Sequence, residues 1–384
     1  MKTMKKMNRV LLICALVIGV AQPAYAQLGG RVGKALGKAK GMADQLKDLV
    51  VTEQEEHDMG QKISAMLRDK YGVVQSAPVH KYVSLVGKNL AAVSTRPNIQ
   101  WTFIVLDTDG VNAFAAPGGF VHITRGALAL CENEAELAGV LGHEITHVTA
   151  KHTINAIKNQ KMVGAVAEAA TRSDLLEHMV NRAYTNLLEN AYDRGDEDES
   201  DAIGIRLANT VGYAPTGLGG FLTHLSDRNK DLKEPSGVFA SHPATKSRLD
   251  KLTKQIKNEK LSATGLAAAR YKATITYTPV PVTVVTGADG ASSLAGATTA
   301  KPSPTPSPTA SASPTPTPAS KSRFGLGGIS SKLGPDKANT GTVASAGTRG
   351  VNPDRDAKGG ANPRIVSVTV TPAELEAFRR AISG

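Results

Sequence analysis

Leu141-Gly142-His143-Glu144-Ile145-Thr146-His147 is the stretch whose reading decides the fold. It has the form H-E-x-x-H and lies in a run with helical spacing: Glu136, Leu137, Val140, Leu141, Glu144, Ile145 and Val148. On a helix, residues four apart share one face about a turn apart. His143 and His147 can therefore offer two imidazole nitrogens to one Zn2+ at about 2.0–2.1 Å. Glu144 projects beside that face, where a carboxylate can take a proton from water acidified by the metal. A catalytic zinc site needs a third protein ligand and an open fourth position. The five letters alone also fit an ordinary helix with two capping or solvated histidines, so the rest of the chain must supply the missing ligand.

Upstream, helical patterns run over about 42–70 and 78–93. Asn98 to Asp107 alternates and is rich in β-branched and aromatic residues, which predicts a strand. Asp109-Gly110 makes a turn, and Asn112 to Thr124 reads as two short strands hinged at Pro117-Gly118-Gly119. Proline inside such a run marks an edge strand. An exposed edge beside a zinc site lets an extended peptide add by backbone hydrogen bonds, so Asn112, Ala113, Phe114 and Ala115 are the expected substrate-binding residues. A plain hairpin under the active helix is the blander alternative. Asn133 caps the helix that follows, with Glu134 and Glu136 favouring its positive end. That helix is predicted to run to about Lys158. His152, five residues after His147, falls off the metal face and reads as structural.

Downstream, Gln160 to Leu188 is helical and alanine-rich, and then the charge density jumps at Arg194–Asp201. An amphipathic helix follows and ends at Gly212. Glu197 and Asp201 stand four apart, so one can bind the metal while the other orients a histidine through its second ring nitrogen. Two histidines and a glutamate are a set that catalytic zinc sites use. Glu199 competes for the ligand role, and spacing alone does not exclude it.

The two ends of the chain read differently. Lys2, Lys5, Lys6 and Arg9 precede 12 apolar residues, Val10 to Ala21, and Ala24-Tyr25-Ala26 supplies the small residues a signal peptidase reads. Residues 1–26 are thus an expected signal peptide, and the protein is expected to be exported, most simply to the periplasm. The apolar run is shorter than the roughly 20 residues a bilayer span needs, and no other stretch comes near that length. Cys14 lacks the flanking small residues of a lipid anchor, and without residues 1–26 the single Cys131 leaves no intramolecular disulfide. The net charge of +11 becomes +7 without the four signal cations, and it is spread out with no basic run interleaved with aromatics. Nucleic-acid binding is therefore excluded as a reading. Gly29 to Lys40 is glycine-rich and basic, so a peripheral envelope contact is conceivable, although a loosely ordered arm is simpler. Beyond 260, Tyr271 to Val285 alternates like a strand, in an extension covering 261–286. Residues 287–361 are a Pro/Ser/Thr/Gly-rich linker that cannot bury a core. In 362–384, Arg364 to Val370 reads as a strand, and Thr371-Pro372-Ala373-Glu374 is a capping box opening a short helix to Ile382. This strand–helix piece either docks back, by pairing with 271–278, or stays loose.

Five motifs, in order, carry a resemblance: NAFAAPGGFVHITRGAL (112–128), NEAELAGVLGHEITHVTAKH (133–152), EDESDAIG (197–204), GYAP (212–215) and SHPATKSR (241–248). Over about 50–255 the chain resembles the M48 family of zinc metallopeptidases, the group that holds the Ste24-type CAAX proteases and the exported Oma1- and BepA-like enzymes. The resemblance implies that Glu197 binds zinc and that Asp201 stands behind a ligand. It puts His242 near the metal, either stabilising an oxyanion or closing the site as an extra ligand, with Arg248 bracing the site. Ser200 stands where the family usually has alanine. The expectation is an α+β zincin-like domain over 27–260, mostly helical with a small sheet. It would act as an exported endopeptidase on protein or peptide substrates with one Zn2+ per chain, in envelope protein quality control. The rival is a non-catalytic chaperone or assembly factor with a structural zinc, which would have no need of Glu144 as a general base.

Overall fold

The computed structural model describes residues 50–159, 171–189, 192–230, 242, 246–281 and 366–382. The first helix, α1 (Glu53–Tyr71), starts where Thr52 accepts from the Glu55 amide and the Glu55 side chain returns to the Thr52 amide. This reciprocal cap sets the start at 53; residues 42–49 of the expected helix lie outside the described residues. Helix α2 (Ala77–Ala91) carries Pro78 in its first turn and buries Tyr82, Val83, Val86 and Leu90.

Three strands follow, β1 (Thr102–Leu106), β2 (Ala113–Ala116) and β3 (Phe120–Thr124), in the order β1-β3-β2. β1 runs parallel to β3, and β2 antiparallel to it. Pro117–Gly119 forms the hinge as one 3-10 turn, in which Gly118 adopts φ 70° and packs so closely on α1 that a Cβ would lie 2.5 Å from His57 Cα. β2 is the edge strand that the proline predicts, but it is not exposed: all four of its residues are buried. Alternation along β1 divides the interior. Phe103 and Val105 join a core formed with α2 and the helices of the active side, whereas Ile104 and Leu106 join a second core under α1.

A short helix, α3 (Arg125–Leu130), leads into α4 (Glu134–Thr149), where the Asn133 side chain accepts from the Glu136 amide. α4 does not run to Lys158. It stops at Thr149, and Lys151 takes φ 59° before α5 (His152–Asn159) begins. The turn has an electrostatic cause. Lys151 Nζ lies 2.8 Å from the buried Glu56 carboxylate, which Arg96 also holds at 2.7 Å while donating to the Val148 carbonyl at the helix end. The remaining helices among the described residues are α6 (Arg172–Glu189), α7 (Arg194–Val211, closed by Gly212 at φ 106°), α8 (Gly217–Asn229), α9 (Lys246–Asn258), α10 (Ala268–Thr274) and α11 (Pro372–Arg380).

Among the described residues, two expected strands do not form. At the start of Tyr271–Val285 the chain forms the last turn of α10 instead: Tyr271 and Ile275 are buried but Ala273 between them is exposed, which breaks the alternation that one face of a strand requires. Residues 366–371 join no ladder, so the C-terminal piece docks through its helix against α2 and not by pairing with 271–278. The signal segment, the basic arm and the 287–361 linker lie outside the described residues. Among the described residues, no helix is long and apolar enough to cross a membrane.

Candidate metal centre

The site exists because two helices cross with almost nothing between them. A Cβ on Gly142 of α4 would lie 2.7 Å from Gly204 O, and one on Gly204 of α7 would lie 2.8 Å from the His143 amide nitrogen. Asp201 and Glu197 precede Gly204 by one and two turns, so the close crossing presses both carboxylates against the face of His143 and His147.

Four donor groups converge there: His143, His147, Glu197 and His242, all buried, with their ligating atoms within 4.8 Å of one another. His143 Nε2 is 3.0 Å from His147 Nε2 and 3.1 Å from His242 Nδ1. Glu197 Oε1 lies 3.4 Å from His147 Nε2 and 2.6 Å from His242 Nδ1. Donors around a tetrahedral ion with bonds of about 2.0–2.1 Å stand roughly 3.3 Å apart, so the spacing fits a metal. The proton positions fit as well. His143 Nδ1 donates to Asp201 Oδ1 at 3.0 Å, which leaves its Nε2 with a lone pair. His147 Nδ1 faces His152 Nδ1 at 2.9 Å, and His152 Nε2 faces Glu199 Oε2 at 3.3 Å. With His152 donating to Glu199, His147 donates to His152 and its Nε2 is also a lone pair. Two lone pairs facing each other at 3.0 Å ask for a cation between them.

The surrounding charges agree with this arrangement. Burial alone would raise Glu197, but His242 beside it, through its charge and its hydrogen bond, holds it far below the usual carboxylate range. Burial keeps His147 well below its ordinary value, hence neutral and able to ligate. For Asp201, burial is outweighed by hydrogen bonds from His143 and Arg248, so it stays ionised. Arg248 of α9 grips Asp201 at 2.8 and 2.6 Å, lies 2.8 Å from Glu197 and donates to the His242 carbonyl at 3.2 Å. Glu144 behaves differently: burial raises its carboxyl above the usual range, and its Oε2 is buried with no hydrogen bond to a described residue.

A second group, Glu132, Glu136 and His224, also brings together possible metal donors. Glu136 is already spent there, accepting from the Glu132 amide and the Asn133 side chain as the cap of α4. The two ring nitrogens of His224 face different carboxylates, at 3.3 Å from Glu136 and 3.7 Å from Glu132.

Residues 79–256 match the sequence pattern of peptidase family M48. These residues form an M48 peptidase domain. Among its relatives, the beta-barrel assembly-enhancing protease of Escherichia coli K12 is 26% identical over 65% of this chain and 52% of its own length. The mitochondrial metalloendopeptidase OMA1 of Schizosaccharomyces pombe is 29% identical over 46% of this chain and 52% of its own length. The metalloprotease YcaL of E. coli K12 is 28% identical over 46% of this chain and 72% of its own length. The chain thus spans about half the length of the first of these relatives.

The M48 domain brings together every metal-site residue that the sequence reading names. Glu197 lies in the donor cluster, whereas Glu199 faces His152 outside it. Ser200 reaches His152 Nδ1 at 3.4 Å, so the departure from alanine touches the histidine behind His147 and leaves the donors alone. Of the expected substrate-binding residues, Asn112 donates its backbone N–H to Thr124 Oγ1, and Ala113, Phe114 and Ala115 lie buried in β2. Two neighbours were missed. The Tyr192 ring stacks on His147 with centroids 4.0 Å apart, and its hydroxyl meets Thr153 Oγ1 at 2.8 Å. Thr153 in turn donates to the Ala115 carbonyl at 3.2 Å. No spacing rule points to Tyr192, because a residue between two helices owes its position to tertiary packing alone.

Proposed function

We propose that this chain is an exported, zinc-dependent endopeptidase that hydrolyses peptide bonds in envelope proteins as a form of quality control. The observation that carries the reading is Glu144, a buried carboxylate with one unbonded oxygen beside a converging set of two histidines, a glutamate and a third histidine. A structural metal site has no use for such a base. His143, His147 and Glu197 would hold the zinc, which when bound supplies Lewis-acid polarisation of a carbonyl and acidifies water. Glu144, whose carboxyl is kept easy to protonate by burial, takes a proton at Oε2 from the attacking water and passes it to the leaving nitrogen. Asp201 and Arg248 fix the ring of His143 from behind.

The peptide would add along β2. In the antiparallel ladder with β3, Thr124 N donates to Asn112 O, so residues 112, 114 and 116 face β3 while Ala113 and Ala115 turn their backbone groups to the free edge. A substrate strand would take the place of Thr153 on the Ala115 carbonyl. His242 is assigned by kinetics on metal-quantified protein. A loss of about 10²–10³ in kcat on His242→Ala, with metal unchanged, makes it the group that stabilises the oxyanion. A gain makes it a fourth ligand closing the open position.

The E. coli relative, a beta-barrel assembly-enhancing protease, supports envelope proteins as the substrate class. Export rests on the basic, apolar and small-residue sequence of Lys2 to Ala26. Casein cleavage with and without a chelator tests the activity: an endopeptidase loses it with the metal, whereas an assembly factor without chemistry leaves casein intact in both.

A further inference from the structure

The family match ends at residue 256, and nothing in the metal centre accounts for the C-terminal helix. α11 lies against α2, which is nearly 300 residues earlier in the chain. Its contacts form a compact set. Glu374 Oε1 meets Lys81 Nζ at 2.5 Å, and Arg379 Nε donates to Asn89 Oδ1 at 3.0 Å. The Phe378 ring meets Tyr82 edge-on at 5.8 Å, and the Arg270 guanidinium lies over its other side at 4.0 Å. Ile382, just past the helix, is 3% exposed and fits against Gly265, where a Cβ would come within 2.8 Å of its side chain.

Arg270 links this contact to the active helix. Its guanidinium holds Glu134, the first residue of α4, and Glu134 is wholly buried with the hydroxyls of Tyr82 and Tyr213 also donating to it. The Arg270 Nη1 that does not reach Glu134 donates to the Phe378 carbonyl at 3.4 Å. The tail thus closes the open face of a guanidinium whose far side anchors the start of the H-E-x-x-H helix. A nine-residue helix is too short to persist alone in water, even with the Thr371–Glu374 capping box and Pro372 in place. Docking is what makes it worth forming.

We propose that the surface made by α2, α10 and Gly265 is a docking site for a short capped helix bearing an acid in its first turn and Phe-Arg at its end. Its occupant is this chain's own C-terminal segment, held non-covalently, and the docked helix steadies the start of α4. The sequence between residues 281 and 366 is 84 residues long, and a covalent connection of that length keeps the segment at an effective concentration of the order of millimolar or somewhat below. At micromolar protein, the chain's own tail therefore outcompetes that of a second copy.

The test uses the full chain with a cleavage sequence for a specific protease inserted near residue 310. After cleavage at micromolar concentration, the C-terminal fragment should co-elute with the remainder in gel filtration, at a mass of one copy of each. Glu374→Lys combined with Phe378→Ala should release the fragment, and because both changes lie in the tail they alter no residue of the remainder. Glu374→Lys alone should weaken retention at least tenfold, and Lys81→Glu added to it should restore part of the loss, the capping box at Thr371 staying broken. The cut double variant should also melt at a lower temperature than the cut wild type. Prompt separation of the wild-type fragment, retention indifferent to the substitutions, or an assembly of two copies of each piece would overturn the proposal.

Discussion

Gly204→Ala is the sharpest probe of how the site is assembled, with Gly219→Ala as its control. Both glycines lie inside helices, where alanine is favoured by about 1 kcal/mol. At Gly219 nothing opposes that gain, since the nearest atom to a new Cβ is Leu249 Cδ2 at 4.0 Å. At Gly204 the new Cβ lands 2.8 Å from His143 N, 2.9 Å from Gly142 C and 3.1 Å from His143 Cα, all backbone atoms of α4. Non-bonded carbons prefer about 3.5–4.0 Å, so α7 must back away by roughly 0.7–1 Å. Such overpacking costs about 1–3 kcal/mol, and the two alanine variants should differ in unfolding free energy by about that amount. Glu197 and Asp201 ride on the displaced helix, so metal affinity in Gly204→Ala should fall by about 10–100-fold while Gly219→Ala keeps it. Urea unfolding and competition with a metal-binding dye read the two quantities. Equal stability and equal affinity in the two variants would refute the close crossing as the origin of the site.

Ala115→Pro removes an N–H that faces away from the ladder to β3, but Ala115 is buried, so the larger ring should cost about 1–3 kcal/mol and activity is compared per folded molecule. If substrates add along that edge, kcat/KM should fall at least tenfold, and an unchanged value would move the substrate elsewhere. His122 of β3 is fully buried, and burial, helped by the charge of Arg68, lowers it to about 3. Its unfolded value is about 6.5, so the unfolded chain binds the proton first and stability falls as pH drops below that value. From pH 6.5 to 5 the loss from this residue should be about 2 kcal/mol. His122→Gln should flatten the pH dependence by that amount in denaturant titrations, and an unaltered slope would contradict the assignment.

Much of the site was legible because its signals are local. An i, i+4 pair of histidines, Asn133 with Glu136 as a cap, and Glu197 with Asp201 on one helical face are all short-range patterns. The α1 start was equally legible in Thr52-Glu53-Gln54-Glu55, a capping box the periodicity reading passed over. What escaped depends on distant partners. The break at Lys151 answers to Glu56, nearly a hundred residues away, and the α10 helix answers to the pocket that buries Tyr271 and Ile275. Alternation in Tyr271–Val285 misled because Thr and Val suit either state until burial decides. The burial of the edge strand likewise depends on Thr153 and Tyr192, which meet β2 only through the packing of α5 and the residues before α7.

The central claim is that Glu144 is the base of a metal-dependent peptidase, and metal-replete Glu144→Gln tests it most directly. The amide keeps the shape of the side chain but cannot take the proton. Metal content should stay at about one ion per chain while casein turnover falls by about 10²–10⁴-fold or more. Turnover close to wild type in protein shown to hold its metal would contradict the account.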